Sequence, residues 1–356
     1  MDQAINPQVA HDKSHFHITA EEADHNRRAE ILSQGGCTSH LSSCDWTALH
    51  AAVDRGHLEC VKSLLSNGSD IECRDKEGWT PLHLAAYHGH LDIAKTLIAY
   101  GADIFAENMT KKVPLDLSTC MEVRKYIYHI MSEIEELQRA SSSGDLSLIR
   151  AILSRKELSP NTHFSDSNTP MHLCAGGGHV ECLREIRLLG GDVNSRGDYG
   201  RAPLHFASSG GFLPCITELL DSDAVLFPKD ICAWTPLHDA AFYGHADCML
   251  EIINRVGGHN GWKGLDMEND DGNTPLHCAA MGGHVKCVRV ALSSGGDCTR
   301  KNQSGFSSIH LAVLNGEREC VMEMVCKGEM TVSHAAVLEL INVSIEVASK
   351  KNMEDK

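Results

Sequence analysis

A histidine and a cysteine three residues apart recur four times in this sequence, each time directly after a glycine. The copies read GHLEC, GHVEC, GHADC and GHVKC, at residues 56–60, 178–182, 244–248 and 283–287. A spacing of three residues places both side chains on one face of a helix, and both kinds of side chain bind zinc. The pattern could therefore form a metal site, a disulfide framework, or a packing motif that binds no ligand.

Composition narrows the classes of protein that the chain can belong to. It has 356 residues, with 48 Asp and Glu against 32 Lys and Arg and a formal net charge of −16. Because such a chain repels phosphates, we expect it to bind neither nucleic acid nor an anionic membrane surface. No apolar run approaches the roughly 20 residues that span a bilayer, and no signal-peptide pattern is visible. An odd number of cysteines, 15, then predicts reduced thiols and a cytoplasmic or nuclear location.

A four-residue motif, TPLH and its variants, recurs along the chain. Its copies begin at residues 47, 80, 113, 169, 202, 235, 274 and 307, and most starts are 33 residues apart. With degenerate copies near residues 14 and 135, the chain contains ten repeats of one structural element. Positions within a repeat are numbered here from the first residue of the motif, position 0, and each repeat is named by that residue.

Each repeat predicts two helices. In the Thr80 repeat, Thr80 is a helix N-cap, Pro81 occupies the first helical position, and His83 can reach back to the cap. Gly89 ends this first helix, and the apolar spacing over residues 91–100 predicts a second. Neither helix can bury its apolar face alone, so neighbouring repeats must stack.

These residues resemble a known family. The segment TPLHLAAYHGHLDIAKTLIAYGADIFAENMTKK, residues 80–112, is similar to an ankyrin repeat almost position for position, and the resemblance extends over roughly residues 14–330. It implies an all-α fold with short β-hairpins, in which pairs of antiparallel helices stack into a curved solenoid with a concave face.

The recurring cysteines and histidines then have a structural interpretation. Cysteine alternates with Ile and Leu at position 13, which indicates a buried packing position. Stacked helices lie about 8–10 Å apart, too far for disulfides, which need Cα atoms within about 7 Å. The histidines at positions 3 and 10 are predicted to make structural hydrogen bonds, so neither a metal nor another cofactor is expected. A looser cluster of His11, His15 and His17 is the alternative metal site.

The positions that vary between repeats are the candidates for contact with a partner. The chain is only 5% aromatic, yet three of its four tryptophans directly precede the motif, and two of its six tyrosines end a first helix. Large aromatic side chains are common binding anchors. The alternative interpretation is that each aromatic side chain only covers the core beside the neighbouring repeat. The predicted contact residues are Trp46, Trp79, Tyr87, His88, Tyr199, Arg201, Trp234, Phe242, Tyr243 and Trp262.

The domain organisation follows from the irregular repeats. The repeat that begins at Val113 is shortened, and residues 123–140 read as one extended helix, which separates two ankyrin blocks. The predicted parts are a flexible N-terminus (1–13), a first block (14–132), a second block (133–330) with a Gly-rich insertion (257–264), and a C-terminal capping helix and tail (331–356).

The predicted function is that of a monomeric, non-catalytic scaffold or adaptor that binds a protein partner on the concave surface. The negative charge would speed association with a basic partner. One alternative is the substrate-recognition subunit of a ubiquitin ligase, although no Leu-Pro-rich adaptor box follows residue 330. Another is a catalytic or metal-dependent protein centred on the N-terminal histidines or on residues 257–264, although no phosphate-binding loop, dinucleotide motif or nucleophile elbow is present. Asparagine hydroxylation at Asn194 is a further hypothesis.

Overall fold

The structure, a computed structural model, describes residues 46–255 and 262–327, with the side chains of residues 262, 263 and 327 excepted. The predicted metal cluster in the N-terminal region, most of the 257–264 insertion and the C-terminal helix lie outside the described residues. Within them the chain is helical, and its helices alternate with turns as the repeat pattern predicts.

The chain divides into two compact units, Met1–Ala140 with Ser147–Ser165, and Ser141–Leu146 with Asp166–Lys356. The predicted division into blocks at residue 132 stays a prediction. The described helices that begin in the first part of the chain are α1 (Ala48–Asp54), α2 (Leu58–Ser66), α3 (Pro81–His88), α4 (Leu91–Ala99), α5 (Pro114–Leu117), α6 (Met121–Ser143) and α7 (Leu146–Ser154).

The second compact unit contains the remaining pairs of helices. They are α8 (Pro170–Gly176), α9 (Val180–Leu188), α10 (Pro203–Gly210), α11 (Leu213–Asp221), α12 (Pro236–Tyr243), α13 (Ala246–Arg255), α14 (Trp262–Leu265), α15 (Pro275–Met281), α16 (Val285–Ser293), α17 (Ser308–Leu314) and α18 (Arg318–Lys327). A short 3-10 turn, Asp198–Gly200, precedes α10. Within this unit, each first helix packs against its own second helix and against the first helix of the next repeat.

The capping predictions explain where the first helices begin and end. Thr80 is the extended N-cap of α3, with Pro81 at the first helical turn and a reciprocal capping box between Thr80 and His83. Gly89 ends the helix in the left-handed conformation, with a φ of 75°. Such a residue satisfies the last free carbonyls of a helix, and glycine adopts it without steric cost.

The arms that connect the repeats are hydrogen-bonded turns. In the arm before Thr80, the Asp75 N–H donates to the Trp79 carbonyl oxygen at 3.1 Å, and Asp75 Oδ1 accepts from the N–H groups of Glu77 and Trp79. The resemblance implies β-hairpins here. Among the described residues the arms form no regular strand, because each is too short. The only isolated β-bridge there joins Lys301 and Ser307.

The long helix predicted over residues 123–140 is confirmed as α6. Its buried residues follow helical spacing of three and four: Val123, Ile127, Ile130, Ile134 and Leu137. No helix in the described part of the chain is long and apolar enough to cross a membrane.

Candidate partner-binding surface

In six of the described repeats, the histidine at position 3 connects two neighbouring repeats. In the Thr235 repeat, His238 Nδ1 accepts from the Thr235 N–H at 3.2 Å, and its Nε2–H donates to the Asn273 carbonyl oxygen of the next repeat at 3.0 Å. We call the second contact the forward histidine bond. It recurs with distances of 3.0–3.2 Å for His50, His83, His172, His205, His238 and His277.

These six histidines are fully buried, and burial disfavours their charged form. Desolvation lowers the pKa of His205 and of His238 to about 4, even though their hydrogen bonds to carbonyl oxygens act in the opposite direction. The rings of His205 and His238 are therefore neutral at physiological pH, with the proton on Nε2. The predicted structural role of these histidines is confirmed.

The histidine at position 10 makes a bond in the reverse direction. The Nε2–H groups of His90, His179 and His245 donate to the carbonyl oxygens at position 7 of the preceding repeat, at 2.9–3.4 Å. We call this the backward histidine bond. In the GHxxC motifs that contain His179 and His245, the imidazole Nε2 is thus used within the protein.

The cysteines at position 13 are buried, as predicted. They are Cys60, Cys182, Cys215, Cys248, Cys287 and Cys320, and each is at most 2% exposed. Desolvation raises the pKa of Cys215 and Cys287 to about 12, which leaves neutral thiols that are poor metal ligands and poor nucleophiles. Among the described residues there is no group of three or more His, Cys, Asp and Glu side chains able to hold a metal ion.

One cysteine and one histidine do come together in the arrangement that a nucleophilic enzyme would need. Cys73 Sγ lies 3.6 Å from His50 Nδ1 and 3.3 Å from Thr47 Oγ1. His50 Nδ1 already accepts from the Thr47 N–H, and burial raises the pKa of Cys73 to about 12. A thiol activated by a neighbouring base has a lowered pKa instead, so this pair has a structural character.

Three of the predicted contact residues form an aromatic cluster in the first compact unit. Trp79 and Tyr87 meet edge to face, with ring centroids 5.4 Å apart, and Tyr87 meets His88 in the same way at 5.1 Å. Tyr87 is 47% exposed. His88 Nε2 also lies 3.0 Å from Asp54 Oδ1 of the preceding repeat, which fixes the orientation of its ring.

The second compact unit contains the same arrangement at the same repeat positions. Trp234 and Phe242 meet edge to face at 5.6 Å, and Phe242 meets Tyr243 at 5.3 Å. Tyr243 is 50% exposed. In both clusters the tryptophan precedes the motif at position −1, and the other two rings occupy positions 7 and 8 at the end of the first helix. Two edge-to-face contacts hold three rings in one rigid group.

Other repeats show that the fold does not require aromatic residues at positions 7 and 8. The corresponding pairs in the second compact unit are Gly176 and Gly177, Ser209 and Gly210, Met281 and Gly282, and Leu314 and Asn315. All of these repeats have the same first helix and the same kind of capping histidine. The six rings of the two clusters are therefore additions to the repeat and not parts of its core.

The other predicted contact residues have different surroundings. Trp46 stacks on His50 and donates from Nε1 to Asp75 Oδ2 at 3.3 Å. Arg201 places its guanidinium 5.3 Å from the centre of the Phe206 ring. Tyr199 is 63% exposed at the tip of an arm. The side chain of Trp262 lies outside the described residues.

Two features of this surface escaped the sequence analysis. Arg201 Nη2 lies 2.7 Å from Asp239 Oδ2, and the Asp239 side chain is only 5% exposed. Burial raises the pKa of this carboxyl to about 7, against the opposite effect of Arg201. Asp239 occupies position 4, where the other repeats from residue 47 onward have Ala, Leu, Arg, Phe or Cys, so a single acidic residue at this position was the available signal. The second feature is Ile231, which is 63% exposed at an arm tip.

Comparison with known proteins agrees with this architecture. A family model that describes three copies of the ankyrin repeat matches four stretches of the chain, residues 16–108, 137–230, 186–260 and 237–334. Because these matches cover well over half of the chain, the protein belongs to the ankyrin-repeat family. Proteins of this family generally mediate protein–protein interactions and are typically non-catalytic.

A stretch of 81 residues is 32% identical to the human (Homo sapiens) ankyrin repeat domain-containing protein 35. The stretch covers 23% of this chain and 8% of that protein. The similarity therefore extends over a small part of either chain.

Proposed function

We propose that this protein is a non-catalytic scaffold or adaptor that binds a protein partner through its two aromatic clusters. The observation that supports this most directly is the recurrence of one aromatic arrangement, at positions −1, 7 and 8, in each compact unit. Repeats with glycine and serine at positions 7 and 8 fold in the same way, so packing alone does not account for the rings.

The clusters have the properties of binding anchors. Each exposes about half of a tyrosine, and the edge-to-face contacts already hold the rings in place. A partner that covers such rings loses little conformational freedom on the protein's side, which favours affinity. Aromatic anchors of this kind typically contribute about 2 kcal/mol or more each when they are covered.

The net charge of the chain supports a proposal for the chemistry of the partner, and its free thiols support one for the cellular location. The formal net charge of −16 favours faster association with a basic partner. Many unpaired, buried thiols suit a reducing compartment, so we propose a cytoplasmic or nuclear location and a monomeric protein. Hydroxylation of Asn194 stays a hypothesis. Moving the Asn194 side chain into an enzyme's active site would break two hydrogen bonds. The Asn194 amide already bonds the backbone of the next arm, since Oδ1 accepts from the Val225 N–H and Nδ2 donates to the Asp223 carbonyl.

The test is a capture experiment from cell extract with four forms of the full chain. They are the wild type, Trp79→Ala with Tyr87→Ala, Trp234→Ala with Phe242→Ala and Tyr243→Ala, and a control, Tyr128→Ala. Tyr128 is 57% exposed on α6, outside both clusters.

Circular dichroism first establishes that all four forms are folded, and mass spectrometry then compares the captured proteins. We expect partners that are retained by the wild type and by Tyr128→Ala and lost from at least one cluster variant. Identical partner lists for all four forms would contradict binding through the clusters.

A further inference from the structure

Tyr199 has a backbone conformation that its counterparts in other repeats do not share. Its φ of 53° and ψ of 23° lie in the left-handed region, which costs an L-residue other than glycine about 1 kcal/mol or more. The residues at the same position, −3, have no positive φ in any other described arm; they are Glu77, Thr110, Asp166, Cys232, Asp271 and Ser304.

The arm that contains Tyr199 also differs from the next arm at its first residue. In the next repeat, Asp230 occupies position −5, and its Oδ1 accepts from the N–H groups of Cys232 and Trp234 at 2.9 and 2.8 Å. Gly197 is the residue at this position before Tyr199, so no side-chain oxygen is available to hold the turn.

A side chain from the preceding repeat supplies an acceptor to this arm at a different N–H group. Asn168 Oδ1 accepts from the Asp198 N–H at 3.2 Å. A Cβ atom on Gly197 would collide with that same Oδ1 and would lie 2.9 Å from His172 Nε2. Glycine at position 197 therefore leaves room for Asn168 Oδ1, and in this arm both Tyr199 and Gly200 are left-handed.

The strained arm presents an exposed apolar pair. Tyr199 and Ile231 are each 63% exposed, and the Ile231 N–H donates to the Tyr199 carbonyl oxygen at 3.0 Å, so they lie at the tips of adjacent arms. No ring contact, hydrogen bond or ion pair of the Tyr199 side chain occurs among the described residues. Strained residues that make no stabilising contact are typical of functional sites.

Carboxylates lie on both sides of this pair. Asp198 directly precedes Tyr199, and the Asp270 N–H donates to the carbonyl oxygen of Cys232, the neighbour of Ile231, at 3.1 Å. Both aspartates are exposed, and neither forms an ion pair within the described ranges. The nearby Arg196 is directed to backbone oxygens, since its Nη1 donates to the carbonyls of Gly200 and Lys229 at 2.9 Å.

We propose that this arm-tip patch, formed by Tyr199 and Ile231 between Asp198 and Asp270, binds a basic segment with one large apolar side chain. The apolar side chain contacts Tyr199 and Ile231, and flanking Lys or Arg residues lie opposite the two aspartates. The inference rests on the proposed partner-binding function and specifies a class of partner. It assigns the contact to the arm tips rather than to the aromatic clusters at the ends of the first helices.

The test uses a fluorescein-labelled peptide, Lys-Lys-Phe-Lys-Lys, and measures its binding to the full chain by fluorescence anisotropy. The variant is Tyr199→Asn, because asparagine tolerates the left-handed conformation. Its melting temperature should equal or exceed that of the wild type. The matched control is Tyr128→Asn, which removes an exposed tyrosine from the other compact unit.

We expect Tyr199→Asn to weaken peptide binding about tenfold or more, as the loss of an aromatic anchor does, and the control to bind like the wild type. Ile231→Ser should weaken binding in the same direction, and a peptide with Ser in place of Phe should lose affinity for the wild type. No binding by the wild type up to the solubility limit of the peptide would overturn the inference, as would equal affinities of the wild type and Tyr199→Asn.

The outcomes separate this inference from the proposed function. If peptide binding depends on Trp234, Phe242 and Tyr243 but not on Tyr199, the inference about the arm-tip patch is wrong and the proposed function stands. If binding depends on Tyr199 while the cluster variants capture the same partners as the wild type, the arm-tip patch stands and the cluster proposal is wrong.

Discussion

The forward histidine bond makes a quantitative prediction for the substitution His238→Ala. His238 is fully buried, with Nδ1 accepting from the Thr235 N–H and Nε2 donating to the Asn273 carbonyl. Alanine removes the bond to the N-cap, worth about 1 kcal/mol, and leaves a buried carbonyl without its donor, worth about 1–3 kcal/mol. The cavity left by the ring adds to this, so we expect a loss of about 3–5 kcal/mol in the free energy of unfolding.

His310 supplies the matched control. Its Nδ1 also accepts from the N-cap, the Ser307 N–H at 3.3 Å, but the ring is exposed, and within the described residues its Nε2 has no hydrogen-bond acceptor. His310→Ala should therefore lose only the capping contribution, about 1 kcal/mol.

Amide hydrogen exchange measures both effects locally, which matters because a repeat array can unfold in parts. The opening free energy of α15, whose arm accepts the bond from His238, should fall by about 3–5 kcal/mol in His238→Ala and remain unchanged in His310→Ala. If the two substitutions cost the same to within about 0.5 kcal/mol, the forward histidine bond contributes nothing beyond capping, and the reasoning is wrong.

Two further predictions concern pH and the helix ends. The folded pKa of His205 and His238, about 4, lies below the ordinary 6.5, so their contribution to stability is complete above pH 6.5 and is lost as the pH falls from 6.5 to 4. The loss is about 3 kcal/mol per histidine. Asp239, whose pKa of about 7 is raised, changes stability in the opposite direction over this range. The measurement is therefore the difference in the free energy of unfolding between wild type and His205→Gln, obtained by urea denaturation at each pH. If this difference does not shrink on acidification, the assigned protonation state is wrong. Gly244→Ala should lower the melting temperature more than Gly316→Ala. Both glycines are left-handed, but a Cβ at Gly244 would lie 2.6 Å from the next repeat's histidine ring, while a Cβ at Gly316 meets nothing within 4 Å. Equal melting temperatures would show that the backbone conformation alone determines the cost.

The sequence was sufficient to predict the fold because local signals and the repeat agree. Thr80, Pro81 and Gly89 give the start and end of a helix by local chemistry, and recurrence every 33 residues shows that the same solution is used throughout. The long helix α6 was predictable for the same reason, since its buried residues keep helical spacing.

The candidate partner surface was predictable only in part, because the exposure of its side chains depends on neighbouring repeats. Tyr87 and Tyr243 were predicted from their positions, and both are about half exposed. Arg201 was predicted on the same grounds, yet it pairs with Asp239, which is 38 residues further along the chain. The arm of Tyr199 contacts Asn168 of the preceding repeat through the Asp198 N–H, over 30 residues, and no local pattern indicates this contact.

The histidine bonds also bear on how such a surface can change during evolution. Every described acceptor of a forward or backward histidine bond is a backbone oxygen, at position −1 or position 7. Any amino acid supplies that oxygen, so the side chains at these two positions can be exchanged without removing the acceptor of a histidine bond. Positions −1 and 7 are also those at which Trp234 and Phe242 form the second aromatic cluster. In Trp234, the main chain therefore accepts a bond that joins two repeats, while the side chain belongs to the proposed binding surface.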